Sequence, residues 1–276
     1  MAITAKEVNQ LRQMTGAGMM DCKKALVEAD GDYDKAIELL RKKGQKVSAS
    51  RSDRETTEGV VVVKTNDDQT EGTLIAFTCE TDFVAKNDDF LALANEILDA
   101  AYSNDVADID AIKALPSGDI TLGEKIVENI GKIGEKLEIT AYETLAADQV
   151  VPYIHAGSKL GVLVGLVNTG GADQTEAGKD VAMQIAAMNP LALDKDGVDA
   201  SVVEKEIEIG KEQARAEGKP EQMLEKIAMG KLNKFYKENT LLSQVFVKDN
   251  SVNISQYLDG VNKGLTVGAF KRIAIG

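Results

Sequence analysis

Two short segments carry residue types that a folded core does not require. The first is Thr15-Gly16-Ala17-Gly18-Met19-Met20-Asp21-Cys22-Lys23-Lys24-Ala25-Leu26. Met19 and Met20 are adjacent, and neighbours on a helix face different directions, so both cannot point into one small core. An exposed methionine is a soft, adaptable contact for another protein; the competing reading is that one fills the core and the other is incidental. The second segment is Cys79-Glu80-Thr81-Asp82-Phe83-Val84-Ala85-Lys86-Asn87, where turn-forming and helix-capping types precede an aromatic at a strand-to-helix corner. On the residues alone, a corner Phe is first a lid over its own core and second a surface offered to a partner.

Other chemistry is missing. A phosphate loop needs a glycine five residues before Gly-Lys, and ahead of Gly131, Gly178, Gly210, Gly218 and Gly230 those positions hold Ile126, Asp173, Lys205, Gln213 and Glu225. Neither GxGxxG, GxSxG nor HExxH occurs. His155 is the single histidine, and Cys22 and Cys79 lie far from any CxxC spacing, so no metal or cofactor is implied and the thiols read as reduced and cytoplasmic. With 45 acidic residues, carboxylate pairs are inevitable, but no second catalytic element marks one of them. The net charge of −13 opposes binding to phosphate backbones, and 4% aromatics with no Trp leave little for base stacking. No apolar run approaches the roughly 20 residues of a membrane helix, and residues 1–14 alternate charged and apolar types unlike a secretory signal.

The elements that would position both segments follow from periodicity. Residues 1–44 read as three short helices, the first capped by Thr4, the third capped by Asp32 and ending at Gly44. Residues 45–57 then read as a basic linker; its Lys and Arg side chains suit either a solvated tether or an RNA contact. Beyond it the chain repeats itself: strands at 59–64 and 72–79, a helix at 88–102 and a strand at 136–142, then strands at 150–155 and 161–168, a helix at 177–188 and a strand at 267–275. Two ββα…β units make an α+β fold, a duplicated core of antiparallel sheets covered by helices, with subdomains at 58–144 and 145–276. Into the second is inserted a helical hairpin at about 198–238, turning at Gly218-Lys219-Pro220. Its two apolar stripes could cover each other, or one could serve dimerisation or another partner.

At the two opening segments the sequence resembles the bacterial translation elongation factor Ts family, nucleotide-exchange factors for the GTPase elongation factor Tu. The resemblance is close to whole-chain. It extends through Glu128-Asn129-Ile130, Tyr153-Ile154-His155-Ala156-Gly157, Leu160-Gly161-Val162-Leu163-Val164, Val202 to Glu206, and Gly218-Lys219-Pro220. It implies an N-terminal ubiquitin-associated-type domain ahead of a two-part core. It implies binding to elongation factor Tu, GDP-bound or nucleotide-free, with Thr81, Asp82, Phe83 and Val84 dislodging the magnesium ion of that partner. Met19, Met20, Cys22, Lys23 and His155 are implied partner contacts. The basic pair many relatives carry after Glu-Asn-Ile is absent, since Gly131-Lys132-Ile133-Gly134 stands there, and no residues match the C-terminal helical extension of some relatives. Two readings of other classes stand beside this one: a cytosolic enzyme using a carboxylate pair between the repeated core units, and an adaptor for ubiquitin-like proteins, which the N-terminal helices alone would suggest.

Overall fold

The computed structural model describes residues 3–276, which form two compact units. One comprises residues up to Val62, Ile75–Tyr142 and Ala274–Gly276; the other comprises Val63–Leu74 and Glu143–Ile273.

The first unit opens with α1 (Ala5–Thr15), α2 (Met19–Glu28) and α3 (Tyr33–Arg51). Thr4 and Glu7 close a reciprocal capping box at the start of α1, and Gly16, at φ +65°, ends it. Asp32 caps α3 by accepting the Lys35 N–H. Leu11, Leu26, Cys22 and Ala36 are wholly buried between the three helices.

The third helix departs from the sequence reading. It passes through Gly44 and reaches Arg51, so much of the expected linker, residues 45–57, is helical. Gly44 is a packing position here. It is buried against α7 (Leu122–Ile133), where a Cβ built on Gly131 would lie 2.7 Å from the Gly44 Cα. Packing of one helix on another supplies the stabilisation that a lone glycine-interrupted helix lacks. The N-terminal helices fall in the same compact unit as residues 75–142.

Strands β1 (Glu58–Thr65) and β2 (Glu71–Cys79) follow, joined by a turn in which the Asn66 side-chain oxygen accepts the N–H groups of Thr70 and Glu71. From Gly72 onward β2 is buried at every residue, as a central strand must be. It delivers the chain to α4 (Asp82–Ala85) and α5 (Asp88–Asn104). The Asn87 side chain accepts from the N–H groups of Asp89 and Phe90 at the start of α5. Phe90, Leu93, Ala94, Ile97, Leu98 and Ala101 recur at steps of three and four and are buried, with Phe90 stacked on Phe77 of β2 at 4.7 Å. Next come α6 (Ile109–Ala114), the short antiparallel pair β3 (Pro116–Ser117) and β4 (Ile120–Thr121), α7, and β5 (Glu138–Ala146), giving the sheet order β1-β2-β5.

The second unit repeats this plan. Strands β6 (Gln149–Ile154) and β7 (Leu160–Val167) pair antiparallel with Val151 opposite Val164. Helix α8 (Thr175–Met188) packs so closely on β6 that a Cβ at Gly178 would fall 2.3 Å from Val151 Cγ2. The hairpin is α9 (Ala200–Ala216) and α10 (Glu221–Asn239). Its stripes do cover each other, with Gly210 against Ala228 and Ala214, Leu224 and Leu232 buried. The chain closes with β8 (Val245–Phe246), β9 (Asp249–Asn253), α11 (Ile254–Val261) and β10 (Thr266–Ala274), in sheet order β10-β7-β6. In both sheets the second strand of a hairpin is central and the last strand joins it after the helices, which is the expected duplication.

A buried amide secures the second unit. Gln184 of α8 is fully buried; its Nε2 donates to Gln244 Oε1 and the Val245 carbonyl, both at 3.1 Å, and its Oε1 accepts the Val247 N–H at 2.9 Å. Replacing Gln184 by Leu strands those partners, and urea unfolding is expected to show a loss of about 2–4 kcal/mol.

Candidate functional site

The corner after β2 is built to hold an aromatic outward. Thr81 caps α4 with its hydroxyl 3.5 Å from the Val84 N–H, a long contact, so four helical residues alone would hold poorly. Val84 and Ala85 pack inward on the core of the first unit. The opposite side carries Asp82, ion-paired to Lys86 at 2.7 Å, and Phe83, which is 83% exposed. A lid over the protein's own core would be buried, so the first sequence reading of Phe83 fails. The inward turn is taken by Val84.

Two carboxylates hold the foot of this corner. Glu135, just after α7, accepts the N–H of Glu80 at 3.2 Å, the N–H of Thr81 at 3.0 Å and the Thr81 hydroxyl at 2.7 Å. Glu80 reciprocates, accepting the Lys136 N–H at 2.7 Å and an Arg54 guanidinium N–H at 2.7 Å, with Arg51 at 3.7 Å. Burial pushes the Glu80 carboxyl up, but the Lys136 N–H, Arg54 and Arg51 outweigh it and hold it below the ordinary carboxylate range. Glu80 is therefore an ionised structural anchor and a poor general acid. The Cys79 thiol donates to the Thr81 carbonyl at 3.2 Å.

In the Thr15–Leu26 segment both methionines are exposed: Met19 is 54% and Met20 63% exposed. Met20 shares a shallow surface with Lys23, Lys24 and Val27, at helical steps of three, four and seven. Met14, which its spacing assigns to the core side of α1, is also exposed. Cys22 requires a correction. It is fully buried, its thiol 3.6 Å from the Ala17 carbonyl, so it supports this face from beneath and cannot touch a partner directly. Val84 is half-buried and Thr81 half-buried, leaving Asp82 and Phe83 as the outward residues of their segment.

His155 lies in the other unit, exposed on the turn after β6, with Nδ1 2.8 Å from the Tyr153 hydroxyl. Among the described residues no group of three or more His, Cys, Asp or Glu side chains is placed to hold a metal ion. A cleft of about 220 Å³ in the first unit lies between Met14, Ile37, Leu40 and α7, and is lined with the pairs Arg41–Glu128 and Lys43–Asp21. Those four charges pair off with one another, and Lys132 is the remaining ionisable residue of the lining.

Glu135 is the residue that sequence reading missed. The helix that precedes it, α7, is signalled by Thr121-Leu122-Gly123-Glu124, which forms a capping box, and by Ile126, Ile130 and Ile133 on one face.

A family model described as Elongation factor TS matches residues 80–276. The chain belongs to the elongation factor Ts family. Elongation factor Ts of Amoebophilus asiaticus is 58% identical over 276 residues, covering 100% of both chains. That of Cytophaga hutchinsonii is 61% identical over 274 residues, 99% of each, and that of Porphyromonas gingivalis 45% over 276 residues, 100% of this chain and 99% of the relative. The elongation factor Ts match opens at Glu80, the foot of the Phe83 corner, and the full-length relatives also span Met19 and Met20. Among the described residues of this elongation factor Ts chain, no helix is long and apolar enough to cross a membrane.

Proposed function

We propose that this chain is the guanine-nucleotide exchange factor of translation elongation: it binds elongation factor Tu carrying GDP, promotes GDP release by disturbing the magnesium and nucleotide site of that GTPase, and leaves the site free for GTP. It performs no catalytic chemistry of its own and works in the cytoplasm. The observation that carries this reading is Phe83, an aromatic 83% exposed on a corner whose every other side chain is engaged or turned inward. A fixed apolar wedge beside a carboxylate, Asp82, is suited to entering a neighbouring protein and competing with a bound cation. Magnesium bridges nucleotide phosphates to their protein, so displacing it removes the largest local charge holding GDP.

Met19, Met20 and Lys23 are a second contact, and His155 a third. Sharing the work is a thermodynamic need. A thousandfold faster release corresponds to about 4 kcal/mol, whereas burying one Phe yields roughly 1.5–3 kcal/mol. The remaining contacts must therefore hold the GTPase in a form that binds GDP poorly, and by linkage GDP must weaken the factor's binding equally.

The test loads elongation factor Tu with fluorescent GDP, adds the full chain with excess unlabelled nucleotide, and follows release. Accelerated release that saturates with the factor is expected. A release rate that stays at the spontaneous value at saturating factor overturns the proposal.

A further inference from the structure

The Phe83 corner is held by residues outside the segment that presents it. Glu135 stands 54 residues away in sequence, yet its carboxylate accepts three hydrogen bonds from Glu80 and Thr81. Glu80 in turn accepts the N–H of Lys136, the residue after Glu135. Each strand of this crossing therefore satisfies its neighbour's backbone through a side chain, and Arg54 and Arg51 neutralise the Glu80 end. One oxygen of Glu135 takes both N–H groups and the other takes the Thr81 hydroxyl, so the whole carboxyl group is engaged at the foot of the corner.

We infer that Glu135 is a positioning residue for nucleotide exchange: with Glu80 it forms a carboxylate brace that fixes the Thr81 cap and so aims Phe83 before any partner arrives. The inference rests on the exchange-factor reading above and deepens it. Helix α4 has four residues, too few to be stable alone, and its own cap bond is long. Without the brace, Phe83 would sample many orientations, and binding would have to order the corner at the moment of insertion. With the brace, that ordering is already complete in the free protein. Glu135 is half-buried and spends its oxygens on Glu80 and Thr81, so it acts through Phe83.

The experiment uses the full chain and compares Glu135→Ala, Glu135→Gln, Phe83→Ala and the double variant Glu135→Ala/Phe83→Ala. Amide hydrogen exchange on the free protein reads the order of the corner, and urea unfolding checks that each variant folds. Stopped-flow GDP release separates the maximal rate from the half-saturating concentration of factor. Glu135→Ala is expected to speed exchange at the Thr81 amide at least about tenfold and to lower the maximal release rate about five- to twentyfold, with half-saturation changing less than about twofold. Glu135→Gln keeps an acceptor oxygen and is expected to recover part of the rate. In the Phe83→Ala background, Glu135→Ala is expected to add almost nothing, because the brace works only through that ring.

A Glu135→Ala protein that releases GDP at the wild-type rate overturns the inference, as does a full additional loss in the double variant. If Glu135→Ala does not fold, Glu135→Gln decides by the same readouts. If the wild-type chain fails to accelerate release, the exchange reading falls by itself. The Thr81 amide then decides the brace: protection unchanged in Glu135→Ala overturns it, and protection lost supports it.

Discussion

Replacing Phe83 by Ala is expected to lower the maximal rate of GDP release from elongation factor Tu by about ten- to a hundredfold, while urea unfolding shifts by less than about 0.5 kcal/mol. The two halves of this result have one cause. Phe83 is 83% exposed, so its ring contributes almost nothing to the core of its own unit, and truncation opens no cavity there. The inward side of α4 keeps Val84 and Ala85, and the foot of the corner keeps its carboxylates. Whatever free energy the ring provides must appear only when a partner buries it. If that burial is complete only as GDP leaves, the loss falls on the maximal rate. If it were already complete in the first complex, the loss would fall on the half-saturating concentration. Phe83→Leu retains much of the apolar area and should lie between wild type and Ala. Wild-type release from Phe83→Ala would remove the wedge and shift the whole burden to the Met19–Met20 face and His155. A large stability loss would show that the ring serves its own core after all.

How far the sequence disclosed this site depends on where each signal was stored. The corner was legible because its cues are local: a buried strand ending at Cys79, capping residues, then the apolar steps of α5. The duplication was legible too, since strand–turn–strand–helix order repeats and each turn carries its own polar residues. The adjacency of Met19 and Met20 guaranteed that at least one was exposed, and the fold exposes both. Two features were not legible. Gly44 looks like a helix terminator because glycine lacks intrinsic helix stability; its partner Gly131 is distant in sequence, and only their contact turns the glycine from a stop into a packing surface. Cys22, by contrast, carries a local cue, since Ala25, Leu26 and Ala29 follow it at helical steps of three, four and seven and all four are buried. Glu135 is one of 45 acidic residues, and nothing near it tells which backbone N–H groups it will accept. Contacts between residues far apart in sequence leave no periodic trace.

The glycine contact leads to the other large effect, a reversal of sign. In an exposed helix interior, Gly→Ala ordinarily stabilises by about 1 kcal/mol through backbone entropy. At Gly131 the added Cβ would lie 2.7 Å from the Gly44 Cα, a backbone atom that cannot swing aside. Gly131→Ala is therefore expected to destabilise by about 1–2 kcal/mol net, and Gly131→Leu by about 3 kcal/mol or more, because α3 and α7 must separate. Gly44→Ala is milder: its Cβ would meet the Val127 carbonyl oxygen at 3.3 Å, a contact relieved by a few tenths of an ångström, so the propensity gain and the crowding nearly cancel. The Arg41–Glu128 pair beside them, 2.8 Å long and with Arg41 half exposed, is worth at most about 1 kcal/mol and cannot hold the helices after the glycine contact is lost. Loosening α3 frees the N-terminal helices that carry Met19 and Met20, while the Glu135 hydrogen bonds to Glu80 and Thr81, which involve no residue of α3, stay in place. The exchange assay should then show a higher half-saturating concentration of Gly131→Leu with a maximal rate close to wild type, and limited proteolysis should cut within α3. If Gly131→Ala instead raises stability, as an ordinary helix site would, the close approach of the two helices is not what fixes the N-terminal region.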